Sequence, residues 1–490
     1  MSVLHVELRS GVYRDSVALL QLSRDLVALA GVEAAQVAMG TPLNVEVLVG
    51  MGLPAPPGTG PNDLVVALRT TDDDARDRAL ASLTAALAAR AGVVDIAEQP
   101  PRTTASALRA RPADLVLVSV PGESAFVEAH DAVIAGSSVI VFSDNVSVEQ
   151  EVALKVAAER ADVLVMGPDC GTAIVAGVGL GFANVVEPGP VAIVAASGTG
   201  AQQLMALLDA AGVGVRHCLG LGGRDLTAAV GGRSASQALR ALAADPGTET
   251  VVVVSKPPDP VVAQRLRVEA DDLGLTVVWA LLGPDQPDLT VAAEQVLAAV
   301  GVTVPTWPTW TPASQATDKA GALRGLFVGG TLCDEAMVIA AAALGPVRSN
   351  IPLREPWRLD VGGDLAWDCG DEHVLVDFGD DALTVGRGHP MIDPTLRERR
   401  LGVEADDPRT GVLLLDVVLG LGAHPDPAAS LAPVIARISR PVVVTLVGTR
   451  GDPQDLARQG GALAEAGAHV HLSNAAATRH ALSLLTGAGR

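Results

Sequence analysis

The chain has 490 residues, well beyond the roughly 250–300 at which a single core stops growing, so several domains are expected. Its apolar content of 49% rests on Ala, Val and Leu with only 2% aromatics, a composition suited to parallel sheets covered by helices. A formal charge of −21 disfavours nucleic acid and anionic membrane as partners, and four scattered cysteines with no CxxC pair disfavour a disulfide framework or a structural metal, so a reducing cytoplasm is expected.

The N-terminus, MSVLHVELRSGVYRDS, has no basic region followed by an apolar stretch, and no long uninterrupted apolar run follows, so neither export nor membrane spanning is expected. Residues 1–95 read as strand (HVELRSGVY), helix (DSVALLQLSRDLVALAG), strand (AAQVAMGTPLNVEVLV), strand (DLVVALRT) and helix (DARDRALASLTAALAAR), a small ferredoxin-like α+β domain. Residues 96–186 alternate LVLVSV, SVIVFSD and DVLVMG with helices, the rhythm of a Rossmann-like domain. That rhythm restarts at VAIVAAS and continues through HCLGLGG, TVVVVS and TVVWALLG, giving a second doubly wound domain over 187–300. Residues 301–320, GVTVPTWPTWTPASQATDKA, lack any period and read as a linker. Beyond them GLFVGG, HVLVDFG, GVLLLDVVLG, PVVVTLVG and AHVHLSN mark a third parallel domain over 321–490.

Five turns could carry chemistry. In AASGTGAQQL a buried strand runs into a helix, so Ser197, Gly198, Thr199 and Gly200 either cap that helix or cradle an anion with free amides and hydroxyls. MGPDCGT places Gly167, Pro168, Asp169, Cys170, Gly171 and Thr172 at another strand end, where Cys170 is either a nucleophile or a small residue in a tight loop. In LGLGGRDLT, Gly222 and Gly223 permit close backbone approach, and Arg224 could fork onto a carboxylate or pair with a local acid. GRGHPMIDP and GLGAHPDP each set a His, His389 and His424, beside Pro and Asp, a setting for an acid, a base or a phosphoryl acceptor.

Taken together, MGPDCGTAIVAGVGLGFANVV, VAIVAASGTGAQQL, GLGGRDLT, GGTLCDEAM, SNIPL, VGRGHPMIDPTLR and LLDVVLGLGAHPDP resemble the FdrA family, relatives of the succinyl-CoA synthetases. The resemblance implies an α/β architecture: a Rossmann-like CoA-binding-type domain plus two flavodoxin-like, succinyl-CoA synthetase-like domains, preceded by the small α+β domain. MGPDCG stands where the synthetase α subunit has its GPNCPG loop. ASGTG stands where a helix N-terminus faces the phosphohistidine, and LLDVVLGLGAHPDPAA is expected to open the opposing helix. Two features depart from the synthetases: no GHAGA-type stretch follows VVWALLG, and the segment 301–320 is too short to hold an ATP-grasp domain.

The resemblance therefore implies a carbamoyltransferase subunit of purine (allantoin) catabolism. Carbamoyl phosphate and oxamate or oxalurate would be the small-molecule substrates, with two other carbamoyltransferase subunit types as partners in a cytoplasmic oligomer. No cofactor is required for carbamoyl transfer, although CoA could bind. On this expectation Ser197, Gly198, Thr199 and Gly200 hold phosphate, Arg224 holds the oxamate carboxylate, and His389 or His424 assists proton transfer. The competing expectations are an acyl-CoA synthetase that borrows an ATP-grasp partner and a noncatalytic subunit that senses CoA or a nucleotide.

Overall fold

The computed structural model describes all residues except 1, 11, 13–15, 90–100, 314–319, 363, 364, 366, 385–387 and 487–490. Parts of the RSGVYRDS motif, the first domain boundary, six residues of the presumed linker, and Gly386 and Arg387 of the GRGHPMIDP loop therefore lie outside the described residues. The chain divides into two compact units, Met1–Ser106 with Thr384–Gly388, and Ala107–Leu383 with His389–Arg490.

In the first unit the strands Val3–Ser10, Asp63–Thr70 and Val32–Met39 form an antiparallel sheet in that spatial order, with Asp63–Thr70 central. Its run Leu64 to Leu68 is completely buried because both faces are covered. Leu64, Val66 and Leu68 pack with Leu19, Leu22, Leu26 and Leu83, while Val65 and Ala67 pack with Leu48 and Leu53. The second cluster reflects a correction. The sequence reading extends a strand through residue 49, whereas Pro42–Gly50 is a helix. Its valines alternate as in a strand, but Thr41 accepts a hydrogen bond from the Asn44 amide (3.3 Å) and Pro42 supplies a preset first-turn φ, so the cap prevails over the periodicity.

The second unit is α/β and contains three sheets. The strands Leu115–Val118, Ser138–Val141 and Val165–Met166 are parallel, flanked by the helices Gly122–Ile134 and Val148–Ala161. The next sheet runs Val277–Leu281, Thr250–Ser255, Val191–Ala196, Val215–Gly220, Thr172–Val175, Val178–Gly181, of which the first four are parallel. The hairpin Thr172–Gly181 thus extends this sheet, although the sequence reading assigns it to the preceding domain; Ile174 pairs with Cys218. The third sheet runs Thr309–Trp310, Ala468–His471, Val442–Val447, Thr410–Val418, Ala322–Phe327, His373–Asp377, Val347–Arg348, all parallel but the first. Here too the linker reading is corrected. Thr309 and Trp310 pair with His471 and Val470, and Trp307 Nε1 donates to Glu294 (3.2 Å), because this stretch carries β-branched and aromatic residues that a flexible connection would not need.

In both large sheets the first parallel strand is internal: Val191–Ala196 lies between Val215–Gly220 and Thr250–Ser255, and Ala322–Phe327 lies between His373–Asp377 and Thr410–Val418. Continuous burial of Val191–Ala196, Thr250–Ser255 and Thr410–Val418 fits sheets covered on both faces. In doubly wound sheets ligands bind beyond the strand C-termini at the switch point where the strand order reverses, beside the first strand. Each switch point here is followed by a helix, Gly198–Ala210 in one sheet and Gly330–Leu344 in the other.

Candidate anion cradle between two helix N-termini

Those two helices meet end to end. Ser197 is the N-cap of the first: its Oγ accepts from the Gly200 amide at 2.9 Å and donates to Thr331 Oγ1, in the first turn of the second helix, at 2.6 Å. A Cβ on Gly200 would lie 3.2 Å from Thr331, and a Cβ on Gly329 would lie 3.0 Å from Thr199, so glycine at both positions lets the helices approach without pushing those side chains aside by a few tenths of an ångström. The amides of Gly198, Thr199, Gly330 and Thr331 make no protein hydrogen bond among the described residues. First-turn amides point out of a helix along its positive dipole end, which makes this pair an anion cradle. The capping reading of ASGTG is seen in the Ser197 hydroxyl, and the cap leaves the amides of Gly198 and Thr199 without a protein partner among the described residues.

Four side chains missed by the sequence reading, Lys256, Asp334, Asp377 and Asp416, complete the mouth and its support. Lys256 follows the strand Thr250–Ser255, and its Nζ lies 3.2 Å from Asp334. Asp377 ends the strand His373–Asp377. A Cβ on Gly330 would be 2.6 Å from Asp377 Oδ2 and 3.3 Å from Lys256 Nζ, so both groups converge on the start of the second helix. Burial pushes Asp377 up to about 7, against the opposing pull of Lys256 and the Gly379 amide. For Lys256, burial works to lower the pKa, yet Asp334 and Asp377 together hold it above its ordinary value. Asp416 fixes the entry to the second helix by accepting from the amides of Val328 (2.7 Å) and Gly329 (2.8 Å) while paired to Arg397 (3.1 Å).

The loop Gly167–Thr172 lies beside this cradle. Thr172 Oγ1 is 3.5 Å from the Cβ position of Gly198, and the Pro168 carbonyl packs directly on Gly222, which has the positive φ of +80°. Gly223 has open space around its Cβ position. Asp169 and Cys170 anchor the loop through their amides to Ser143 (3.0 Å) and Val141 (3.1 Å), and Gly171 accepts from Phe182 (2.8 Å). Cys170 is buried under Gly220, and that burial pushes its thiol up to about 12, the environment of a small packing residue in a tight loop.

Arg224 is engaged elsewhere. Its guanidinium donates to Glu151 (3.0 Å) and to the Val146 carbonyl (2.8 Å), and Glu151 in turn holds Lys155 (2.8 Å), which bridges to Asp225 (2.7 Å). Glu151, Lys155 and Asp225 are all buried. Arg224 therefore ties the loop to the helix Val148–Ala161: of its two readings, the structure shows the pair with a local acid, with Nε and Nη2 directed at Glu151 and Val146.

His389 lies beside Asp377, with Nε2 3.0 Å from the Cβ position of Gly379, where Asp377 Oδ1 is also 3.1 Å away. Its Nδ1 faces the Met391 amide (3.2 Å), which places the ring proton on Nε2, and burial brings its pKa down to about 4. His424 belongs to the neighbouring loop. Its backbone bonds to Met391 and Gln454, and its Nδ1 faces the Asp426 amide (3.0 Å). The helix that loop opens, Pro427–Ile435, is capped by Asp426, whose carboxylate accepts from Ala429 and Gln459 and pairs with Arg458. That N-terminus already holds its own anion, which corrects the expectation that GLGAHPDP opens the opposing helix. The opposing helix begins at GGTLCDEAM.

The C-terminal part of the chain is a domain of CoA-ligase type. Residues 326–484 match the CoA-ligase family, and residues 1–102 match the family described as AllF, heavy metal-associated domain. Over 494 residues the chain is 36% identical to the uncharacterized protein YahF of Escherichia coli K12, spanning 94% of this chain and 95% of that protein, and it belongs to the YahF family. Solved structures that this chain matches include the apo form of a dinucleotide forming acetyl-coenzyme A synthetase 1 from Ca. Korarchaeum cryptofilum (14% identity, 77% of this chain and 85% of that chain, TM-score 0.28). Another is a Methanosaeta concilii ATP citrate lyase mutant in complex with (3S)-citryl-CoA (16% identity, 41% and 38%, TM-score 0.30). The heavy metal-associated region contains no cysteine, the first being Cys170. Among the described residues no group of three or more His, Cys, Asp or Glu side chains is placed to hold a metal ion, and no helix is long and apolar enough to cross a membrane.

Proposed function

We propose that this chain is the FdrA-like, acyl phosphate-handling subunit of a carbamoyltransferase that interconverts oxalurate plus phosphate with carbamoyl phosphate plus oxamate in allantoin breakdown. It would act in the cytoplasm with two further subunit types. The observation that carries this reading is the pair of unengaged helix N-termini tied by the Ser197–Thr331 hydrogen bond, with Lys256 at the mouth. The amides of Gly198, Thr199, Gly330 and Thr331 suit the phosphate, and Lys256 takes over the anchoring role that the sequence suggested for Arg224. The Nε2–H of His389 suits an oxyanion on the carbamoyl carbon. The AllF-type N-terminal region supports the allantoin context.

No cofactor is needed for this transfer; CoA, if it binds, belongs with the Rossmann-like sheet. A second reading, acid–thiol ligation with a separate ATP-grasp chain, is favoured by the CoA-ligase match over 326–484. Both are tested by incubating the chain and its natural partner subunits with oxalurate and phosphate. Carbamoyl phosphate formed without ATP or CoA supports the transferase. Formation of ADP and an acyl-CoA only after ATP, CoA and an acid are added overturns it in favour of the ligase.

A further inference from the structure

Transfer of a carbamoyl group to or from an amide nitrogen needs a group that takes up and returns the nitrogen's proton. Neither histidine suits that task. With Nδ1 facing a backbone N–H in both His389 and His424, each presents Nε2 as a donor, and accepting a proton would mean breaking that contact. Cys333, at the start of the second helix, is fully buried, and burial holds its thiol far above neutrality. The carboxylates nearby are engaged: Asp416 with two amides and Arg397, Asp334 with Lys256, and Glu335 with the Leu289 amide (2.6 Å) and Asn474 Nδ2 (2.7 Å).

Asp377 differs from these. It is only 5% exposed, and its Oδ1 accepts from the Gly379 amide at 2.9 Å. Its Oδ2 has no hydrogen-bond donor among the described residues and points at the first residue of the helix Gly330–Leu344. A carboxylate oxygen without a protein donor, on a side chain otherwise almost wholly buried and at the mouth of the cradle, is placed to accept from a ligand that brings an N–H or O–H to it.

We infer that Asp377, through Oδ2, is the proton carrier of this cradle and so confines the second substrate to one acylated on a nitrogen that bears a proton. The inference rests on the carbamoyl-transfer reading. As the acceptor nitrogen forms its bond to the carbamoyl carbon, the C–O bond to phosphate breaks, the electron pair leaves on the phosphate oxygen, and the N–H proton passes to Asp377 Oδ2. In phosphorolysis of oxalurate the same proton returns to the departing oxamate nitrogen. Lys256, Asp334, Asp380 and Cys333 set the charge around Asp377, with the His389 ring at its other side, and the burial that raises its pKa toward neutrality suits exchange in both directions.

The test uses the chain assembled with its partner subunits and follows carbamoyl phosphate made from oxalurate and phosphate, with equilibrium binding of carbamoyl phosphate measured in parallel. Asp377→Asn should keep that binding within about threefold while turnover falls about 100-fold or more, and the pH-dependent limb of the wild-type profile should vanish; Asp377→Glu should recover part of the rate. Equal turnover by wild type and Asp377→Asn overturns the inference and leaves the function standing. No carbamoyl phosphate from the wild type overturns the functional reading and the inference with it. Should the Asn variant not fold, the wild-type profile decides: turnover that stays flat between about pH 5.5 and 8.5 overturns the inference.

Discussion

Replacing Gly330 by Ala would close the cradle with a single methyl group. The new Cβ would stand 2.6 Å from Asp377 Oδ2, whereas a relaxed carbon–oxygen contact is about 3.3–3.6 Å, so the carboxylate or the helix start must retreat by about 0.7–1 Å. The carboxylate is poorly placed to retreat, because its Oδ1 holds the Gly379 amide, and Lys256 Nζ is only 3.3 Å from the same point. Overpacking of this kind costs about 1–3 kcal/mol, of which about 1 kcal/mol is offset by the better helix propensity of Ala. The variant should therefore fold, with thermal stability only modestly lowered. A misplacement near 1 Å at reacting groups costs about 100-fold in rate, and that is the fall expected in carbamoyl phosphate production. Gly402→Ala, in the helix Thr395–Asp406 with nothing within 4 Å of its Cβ position, is the control and should gain about 0.5–1 kcal/mol without loss of activity. A folded Gly330→Ala protein with wild-type turnover would refute the cradle as the reaction site.

Arg224→Ala removes two hydrogen bonds to Glu151 and Val146 and leaves a buried carboxylate with Lys155 as its remaining partner. Because Arg224 is 42% exposed, water can enter, and a loss of about 1–3 kcal/mol in denaturant unfolding is expected, with the oxalurate KM unchanged. A large rise in KM in a stable variant would return Arg224 to the substrate. Glu335→Gln tests a buried acid one turn into the second helix, raised to about 7 by burial against the hydrogen bonds from Asn474 and Leu289. A carboxyl whose folded pKa exceeds its unfolded one binds more protons when folded, so wild-type stability falls as pH rises from about 4.5 to 7 and levels off above. At acid pH the Gln variant is expected to be the less stable of the two, since it turns an NH2 toward a donor, but it should lack that fall. The wild type should thus lose on the order of 3 kcal/mol relative to it across the window, by urea unfolding at stepped pH; a constant difference would disprove the raised pKa.

Much of the architecture was legible because it is written in short-range signals. Runs such as VAIVAA and VVVVS, bounded by glycine and serine, announce strands buried on both faces, and the turn after Ala196 announces a helix start. The failures share one cause, competition between signals. Val45, Val47 and Val49 alternate like a strand, yet Thr41 and Pro42 start a helix there. Proline-rich residues near 305–312 look like a linker, yet Thr309–Trp310 finishes a sheet edge. The site was only half legible because its members come from two sheets. Lys256 and Asp377 belong to no spacing motif; each is merely the residue at the C-terminal end of a strand. Their positions at those ends were the available signal, since ligands of doubly wound sheets bind there.

How a chain of net charge −21 can present an anion site follows from where its acids are engaged. Asp416 caps the approach to the second helix and is neutralised by Arg397, Asp334 faces Lys256, and Asp426 occupies the N-terminus of Pro427–Ile435. Each carboxylate is held by a fixed donor, so the field at the cradle is set by nearby dipoles and one ammonium, and the distant surface charge is screened within about 10 Å at ordinary salt. The same engagement separates the two candidate helices. One has its first-turn amides closed by its own aspartate, whereas the other begins at Gly329–Gly330–Thr331, with no acidic side chain in its first turn. An added phosphate can be met only at the latter, and the carboxylate it finds there, Asp377, is the one whose free oxygen asks for a proton.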